Sequence, residues 1–592
     1  MSAIRHRRAA LLYSVDCMFP YAEEEFTEDE EDLLSAYFTN TTGPVFALVN
    51  LDEVVKGALF ARYSRSAKSL RRLFLDEFAS DVIGHKKKGF AGEGTGGGIG
   101  EARARRLYGT VFSEYGDDSV AQLGGLHLAC EQASNLLTKI LERSRLMSYL
   151  EQSTRYIAYD VRLPNGRYRY YRDPEVLDSQ LGAVYVASMD AMFDAYRDAV
   201  PKLEGFLARA HPKKADEPDI AHRRAVRARA LDLARGLLPT ASLSNVGIYG
   251  SGQAIERLVL RLRSSLLPEA RGYAEMVLEE ARKVIPSFLD RVDRADRGLA
   301  WQQYLEDKRN RMHDIVAAIS DGDGGQSDAR SSDGRSGDVL ADERAVVGLG
   351  SYDPLGEDRV LAAALFEFSD RSISDCAERV ERMSYEERGA LLAAYLGERG
   401  NRRHRPGRAL EVTAYTFEIV SDYGAFRDLQ RHRMLTVDWQ RFTPELGFTI
   451  PPELVEAGVD ATYRATLSQS QELYEAMVGR FPEQAPYVLG LAHRIRYAMT
   501  MNAREAMHVI ELRTSPQGHE VYRQIAQEMH CLIRDKAGHA NIAGCFTFAD
   551  HSGESLGRRV AESLAAVRTI GESGTNAAAR TPEGGGAVVV SK

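Results

Sequence analysis

The stretch Arg143-Ser-Arg-Leu-Met-Ser-Tyr-Leu-Glu-Gln-Ser-Thr-Arg-Tyr156 has a counterpart later in the chain, Arg431-His-Arg-Met-Leu-Thr-Val-Asp-Trp-Gln-Arg-Phe-Thr443. Aligned without gaps, the two share both arginines of Arg-x-Arg and the glutamine nine residues after the first, Gln152 and Gln440. A second pair follows in the same order. Leu231–Pro239 (LDLARGLLP) leads to Gly252–Ser265 (GQAIERLVLRLRSS), and Pro482–Leu491 (PEQAPYVLGL) leads to Asn502–Ser515 (NAREAMHVIELRTS). Each ends in Leu-Arg-Ser-Ser or Leu-Arg-Thr-Ser, at Arg263 and Arg513. One short match is chance; two ordered matches in both halves mark a divergent duplication.

Between the copies lies 320–338, SDGDGGQSDARSSDGRSGD, with a single alanine as its only apolar residue. Such a segment cannot offset its own ordering entropy, so it reads as an interdomain linker. The expected organisation is an N-terminal extension over 1–42, a first repeat over 43–310, a linker over 311–343, a second repeat over 344–550 and a disordered tail over 570–592. The Gly-rich loop 86–100 satisfies GxGxxG at Gly92–Gly97 but has no apolar strand before it and no Walker lysine after it. It reads as a flexible or lid-like loop.

The 592 residues are 44% hydrophobic and 27% charged, ordinary for a globular protein and incompatible with a wholly disordered or fibrous chain. A net charge of −9 gives no global basic field to recruit nucleic acid or anionic membrane. Five scattered cysteines without a CxxC pair read as reduced thiols of a cytoplasmic protein, and His530, Cys531 and His539 lack metal-ligand spacing, so no metal site is expected. No stretch approaches the roughly 18 to 20 apolar residues of a membrane helix, and the basic N-terminus lacks the pattern of a secretory signal. Apolar residues at three- and four-residue spacings predict helices over 180–200, 225–238, 254–262, 270–288, 360–366, 385–396, 467–478, 503–512 and 521–533. Pro44–Asn50 and Val412–Ile419, rich in β-branched and aromatic residues, are the best strand candidates. The composition is α+β with helices dominating.

Arg-His-Arg, seven residues, Ser is the signature of flavin-dependent thymidylate synthases, the ThyX family, which this chain resembles twice. The first copy fits RxRX7S with Ser144 in place of the histidine, and its Glu151-Gln-Ser-x-Arg-Tyr run is similar to the family's. The second keeps Arg431-His-Arg433 but has Arg441 where the serine belongs. The resemblance spans about 45–290 and about 345–535. It implies two tandem ThyX-like domains, helix-rich with a small antiparallel sheet each. It further implies methylation of dUMP, or a related pyrimidine nucleotide, to dTMP with methylenetetrahydrofolate, FAD and NADPH. The alternative is a degenerate homologue that binds flavin or nucleotide in a regulatory or structural role.

By the same resemblance Arg431, His432 and Arg433, with Arg143 and Arg145, Asn502 and Arg504, would hold FAD. Glu151, Ser153, Arg155 and Arg235 would surround the nucleotide, and Arg513, or Arg263 in the first copy, would polarise the pyrimidine. Arginine suits these roles because its planar fork pairs with phosphate and stays charged, and a fixed cation aimed at developing charge is strong electrostatic catalysis. Asn502, Ala506, Val509 and Arg513 fall on one helical stripe, with its ends ~16 Å apart. The copies have lost different residues. The first has Gly252 and Ala254 for Asn502 and Arg504, while the second has Trp439 for Glu151 and Pro486 for Arg235. The Ser-Pro-x-Glu-His element is eroded in both, at Ser119–Leu123 and Arg408–Val412. Family sites draw on several subunits of a homotetramer, so complementary copies would build one composite site in a homodimer that forms a pseudo-tetramer.

Overall fold

A computed structural model describes residues 24–42, 45–63, 66, 68–80, 122–154, 157–322, 346–553, 556–559 and 562–563. The Gly-rich loop 86–100, nearly all of the expected linker beyond 322, the tail from 570 and Arg155 lie outside these residues.

The chain runs through one sequence of elements twice. β1 (Gly125–Ser134) enters α1 (Asn135–Leu141); β2 (Met147–Glu151), α2 (Gly182–Ala210) and α3 (Asp219–Ala234) follow; β3 (Leu243–Ser251) then enters α4 (Gly252–Arg263). After β4 (Val346–Tyr352), β5 (Ala414–Asp422) enters α5 (Tyr423–Leu429), with β6 (Thr436–Trp439) and α6 (Asp460–Val478) next. β7 (Arg494–Asn502) then enters α7 (Ala503–Arg513), and α8 (Glu520–Asp535) follows. Every strand-to-helix switch carries a short polar cap. Ser134 accepts from the Leu137 amide at 3.0 Å, Ser251 from Ala254 at 3.4 Å, Asp422 from Ala425 at 2.8 Å and Asn502 from Glu505 at 2.9 Å. Each takes up an N–H that the first helical turn leaves without a partner, so the chain changes from extended to helical at the same point in both copies.

The strands form two small sheets, in the orders β1-β3-β2 and β4-β5-β7-β6. The second repeats the order of the first as β5-β7-β6 and adds β4 at its edge. Its pairings are antiparallel, with Val346 opposite Val420, Ala414 opposite Asn502 and Thr436 opposite Thr500. Along β7 Ile495, Tyr497, Met499 and Met501 are buried while the residues between them are more exposed, the period of two that a half-buried strand requires. The architecture is thus α+β, helix-rich with two small sheets. The expected strand over Val412–Ile419 is β5, shifted two residues by the 3-10 turn Arg408–Glu411. The expected strand over Pro44–Asn50 makes, among its described residues, an isolated bridge of Leu48 with Phe38. There the Ala47 amide is taken by Thr39 Oγ1, so the pairing stays local.

The fold divides into two compact units that do not follow the repeat boundary. The first comprises residues 1–130, 146–150 and 247–322; in it α4 packs on the helix Pro268–Val284 through buried Ile255, Leu258, Val259, Ala274 and Leu278. The second comprises 131–145, 151–246 and 323–592 and therefore holds α1–α3 of the first copy with almost all of the second. Inside it the copies meet through equivalent parts. α2 packs on α6. Pro239 and Gly490 form an antiparallel bridge, flanked by the Thr240 amide to Leu489 O and the Leu491 amide to Leu238 O, both 2.9 Å. These positions correspond in the two copies, so the contact is self-complementary, as across a two-fold axis. Among the described residues no helix is long and apolar enough to cross a membrane.

Candidate functional site

The same local symmetry brings α1 and α5 together in the second unit, and the site starts from their facing residues. Lys139 and Arg427 correspond in the two copies, and both reach one carboxylate, that of Glu151 at the end of β2. Arg427 donates at 2.7 Å and Lys139 at 3.3 Å, and Arg431, one turn beyond Arg427, donates as well. Arg427 lies on α5 and Arg431 in the turn that follows it, and both guanidiniums reach the same group. The Glu151 side chain is 0% exposed. Burial alone would raise its pKa, but Arg427, Lys139 and Arg431 outweigh it and hold the carboxyl well below the usual range. Glu142 lies against Lys139 at 2.6 Å; burial pushes its pKa up.

Arg431 leads to a second acidic group. Its Nη1 is 3.6 Å from Asp428 Oδ1, while Arg235, entering from the end of α3, brings Nη1 to 3.6 Å from Asp428 Oδ2. Arg513, the last residue of α7, donates to the Asp428 carbonyl and, through Nε, to His432 Nε2 at 2.8 Å. Three guanidiniums from three different elements thus converge on the turn at Asp428. Burial of Arg513 lowers its pKa from the ordinary arginine value, with the guanidinium packed against Tyr522 at 5.2 Å from the ring centre. Arg235 and Glu151 come from the first copy; Arg431, Asp428 and Arg513 come from the second.

Two cavities adjoin this cluster. One, of about 140 Å³, is lined by Arg143, Arg145, His432 and Arg433, so the two Arg-x-Arg motifs of the duplication face one space. The other, of about 300 Å³, is lined by Arg402, Arg405, Arg433, Asn502, Arg504 and His508. Arg504 is held at its edge by Glu411 at 3.0 Å and by the Pro406 carbonyl at 2.9 Å. His432, Glu505 and His508 place one ligand atom each within 4.8 Å of one another, a set that could hold a metal ion. The donor from Arg513 already uses His432 Nε2, and Arg402, Arg405, Arg433 and Arg504 oppose a cation there. The second cavity sets five arginines against Glu411, Glu505 and Glu511.

The remaining predicted residues are placed as follows. Ser153 is half-buried just after β2, and its carbonyl accepts from the Ile157 amide. Arg263 lies in the first unit, where it donates at 2.7 Å to both Glu275 and Asp293. Arg143, the counterpart of Arg431, pairs with Asp438 at 2.6 Å and lies 4.7 Å over the Trp439 ring. Asn502 caps α7, so its oxygen is used by the helix while the residue lines the larger cavity. Sequence reasoning missed Lys139, Glu142, Arg427, Asp428, Arg402 and Arg405. The spacing of Arg427 and Arg431, and the basic run Arg402-Arg-His-Arg405, carried signals for three of them.

A family model described as thymidylate synthase complementing protein matches residues 66–287 and again 349–537. A UPF0159 protein of Chlamydia muridarum is 36% identical over 543 residues, 91% of this chain and 98% of that one. A second UPF0159 protein, from Thermoplasma acidophilum, is 30% identical over 86% of this chain and 97% of its own. A flavin-dependent thymidylate synthase of Haloarcula marismortui is 25% identical over 217 residues, 30% of this chain and 86% of that enzyme. Among solved structures, a UMP/dUMP methylase of Streptomyces cacaoi with bound 5-Br dUMP covers 35% of this chain and 98% of its own at 18% identity, with a TM-score of 0.30.

Proposed function

The chain belongs to the thymidylate synthase complementing protein family, and from that premise we propose that it methylates a pyrimidine nucleotide, dUMP in the first instance, at one composite site in its second unit. The observation that carries this reading is the burial of Glu151 of the first copy against Arg427 and Arg431 of the second, with Arg235 and Arg513 meeting at Asp428. Glu151 and Arg235, kept by the first copy, and Arg431 and Arg513, kept by the second, support this reading by sharing one cluster.

In this reading Arg235 and Arg431 hold the phosphate of the nucleotide, for which a planar, permanently charged fork is suited. Glu151 fixes the Arg431 guanidinium rather than titrating. Arg513 faces the base, where its charge favours ionisation at N3 and stabilises the electron-rich ring from which C5 attacks. The larger cavity would hold the pyrophosphate of FAD, since its five arginines outnumber the Glu411, Glu505 and Glu511 carboxylates that line it with them. When bound there, the flavin supplies the hydride that completes the methyl group, with NADPH as the source of electrons and methylenetetrahydrofolate as the source of carbon. The chain's own contribution is binding, orientation and a fixed positive field.

Absorption spectroscopy tests this directly. The purified protein with FAD should show a flavin band bleached by NADPH, and should release tritium from 5-tritiated dUMP in the presence of methylenetetrahydrofolate. No flavin binding and no release would overturn the reading.

A further inference from the structure

The family resemblance gives His432 to the cofactor, but the side chain is turned elsewhere. It is buried, and its Nε2 accepts the Arg513 Nε–H at 2.8 Å. An acceptor nitrogen carries no proton, so the ring is neutral and its hydrogen sits on Nδ1. That side faces Glu505 Oε1 at 3.6 Å. Burial first, and then the charge of Arg513, keep the imidazole pKa well below its ordinary value. Glu505 is itself set by the first turn of α7, where its amide donates to Asn502 Oδ1. His508, three residues on, stands edge-on to His432 with ring centres 5.6 Å apart. A line of contacts therefore runs from the capped start of α7, through Glu505 and His432, to the guanidinium at its far end.

The Asp428 carbonyl accepts from Nη2 of Arg513 and the Tyr522 ring packs 5.2 Å from the guanidinium, but neither holds Nε. The bond to His432 Nε2 does, so that two in-plane hydrogen bonds together with the covalent link at Cδ fix the plane. We infer that His432 is a positioning residue for Arg513, holding the guanidinium in the plane of the pyrimidine, and not a ligand of the cofactor. This rests on the functional reading above, because it takes Arg513 as the group that faces the base.

The test uses the full chain as wild type, His432→Leu and His432→Gln, the last because its amide oxygen can accept the same N–H. Three quantities are measured in each: the FAD dissociation constant, the split of tritium release between kcat and KM for dUMP, and the N3 pKa of bound 5-fluoro-dUMP from its ultraviolet difference spectrum. A positioning role predicts that His432→Leu lowers kcat about 10- to 100-fold. It also predicts an N3 pKa moved back towards that of free 5-fluoro-dUMP, FAD affinity within about twofold of wild type, and recovery of most of both effects in His432→Gln. Loss of FAD affinity with an unchanged N3 pKa would overturn the inference, as would a glutamine variant that behaves like leucine while both proteins melt at the wild-type temperature. Failure of the functional reading shows in a different place: wild-type protein that binds neither 5-fluoro-dUMP nor FAD.

Discussion

Arg431 and Arg143 stand at the same position of the two copies and keep opposite company. Arg431 meets the buried carboxylate of Glu151, Asp428 and, across the turn, Arg235 and Arg513. Arg143 meets Trp439, which replaces that carboxylate in the second copy, and the exposed Asp438. One arrangement gathers Lys139, Arg427, Arg431, Arg235 and Arg513 around acids; the other sets an aromatic ring beside a half-exposed arginine. The difference teaches that at this position the copies have diverged in opposite directions: the carboxylate kept in the first copy serves the arginine of the second.

The comparison breaks first at Glu151. Removing its charge leaves the buried Arg427 and Lys139, and the part-exposed Arg431, without their shared partner, so Glu151→Gln should cost about 3–5 kcal/mol in urea unfolding. The loss should also depend on pH. The folded pKa of Glu151 lies below its unfolded value, so its contribution is complete above the unfolded carboxylate range and is lost as pH falls through the depressed folded value. The gap between wild type and Glu151→Gln should therefore hold constant from about pH 6 to 8 and narrow below about pH 4; a gap that widens on acidification would contradict the assignment.

Next in size is the pair Arg513 and Arg263. Arg513→Ala should lower kcat for tritium release about 100- to 1,000-fold, whereas Arg263→Ala, which breaks pairs with Glu275 and Asp293, should change melting temperature and not turnover. Equal effects on turnover would mean that both copies hold a working site. Arg143→Ala should cost only about 0.5–1 kcal/mol, the value of a half-exposed cation stacked on an indole. Arg441→Ala comes last. Arg441 donates to the Pro482 carbonyl at 2.7 Å at the surface, so both stability and activity should stay within about 0.5 kcal/mol of wild type.

Much of this was legible in the sequence because the copies could be compared with each other. Helix α7, with Arg513 at its end, and the body of β5 follow from local pattern; β1, β3 and β7, which enter α1, α4 and α7, were not among the expected strands. What was not legible depends on pairing across long separations. Nothing in the spacing of Lys139 says that it would share Glu151 with Arg427, its own counterpart, since that requires knowing that α1 and α5 face each other. His432 is a related case: the motif fixes which residue stands between the two arginines, but only the fold shows its bond with Arg513. Pro44–Asn50 has the composition of a strand but pairs with its own neighbourhood, a choice that β propensity does not make.

The join at Pro239 and Gly490 is written in peptide groups. Its bridging hydrogen bonds run from main-chain amide to main-chain carbonyl, joined by Thr240 Oγ1 to the Pro486 carbonyl, and a side chain at Gly490 would meet Leu467 and the Gly236 carbonyl. Away from those positions the backbone bonds hold whatever side chains the two surfaces carry. Because the halves are also one polypeptide, they inherit each other's changes and always meet the same partner. Division of labour is then open to selection: one half can specialise in holding the phosphate and the other in acting on the base, a path closed to a homodimer whose two faces are copied from a single sequence.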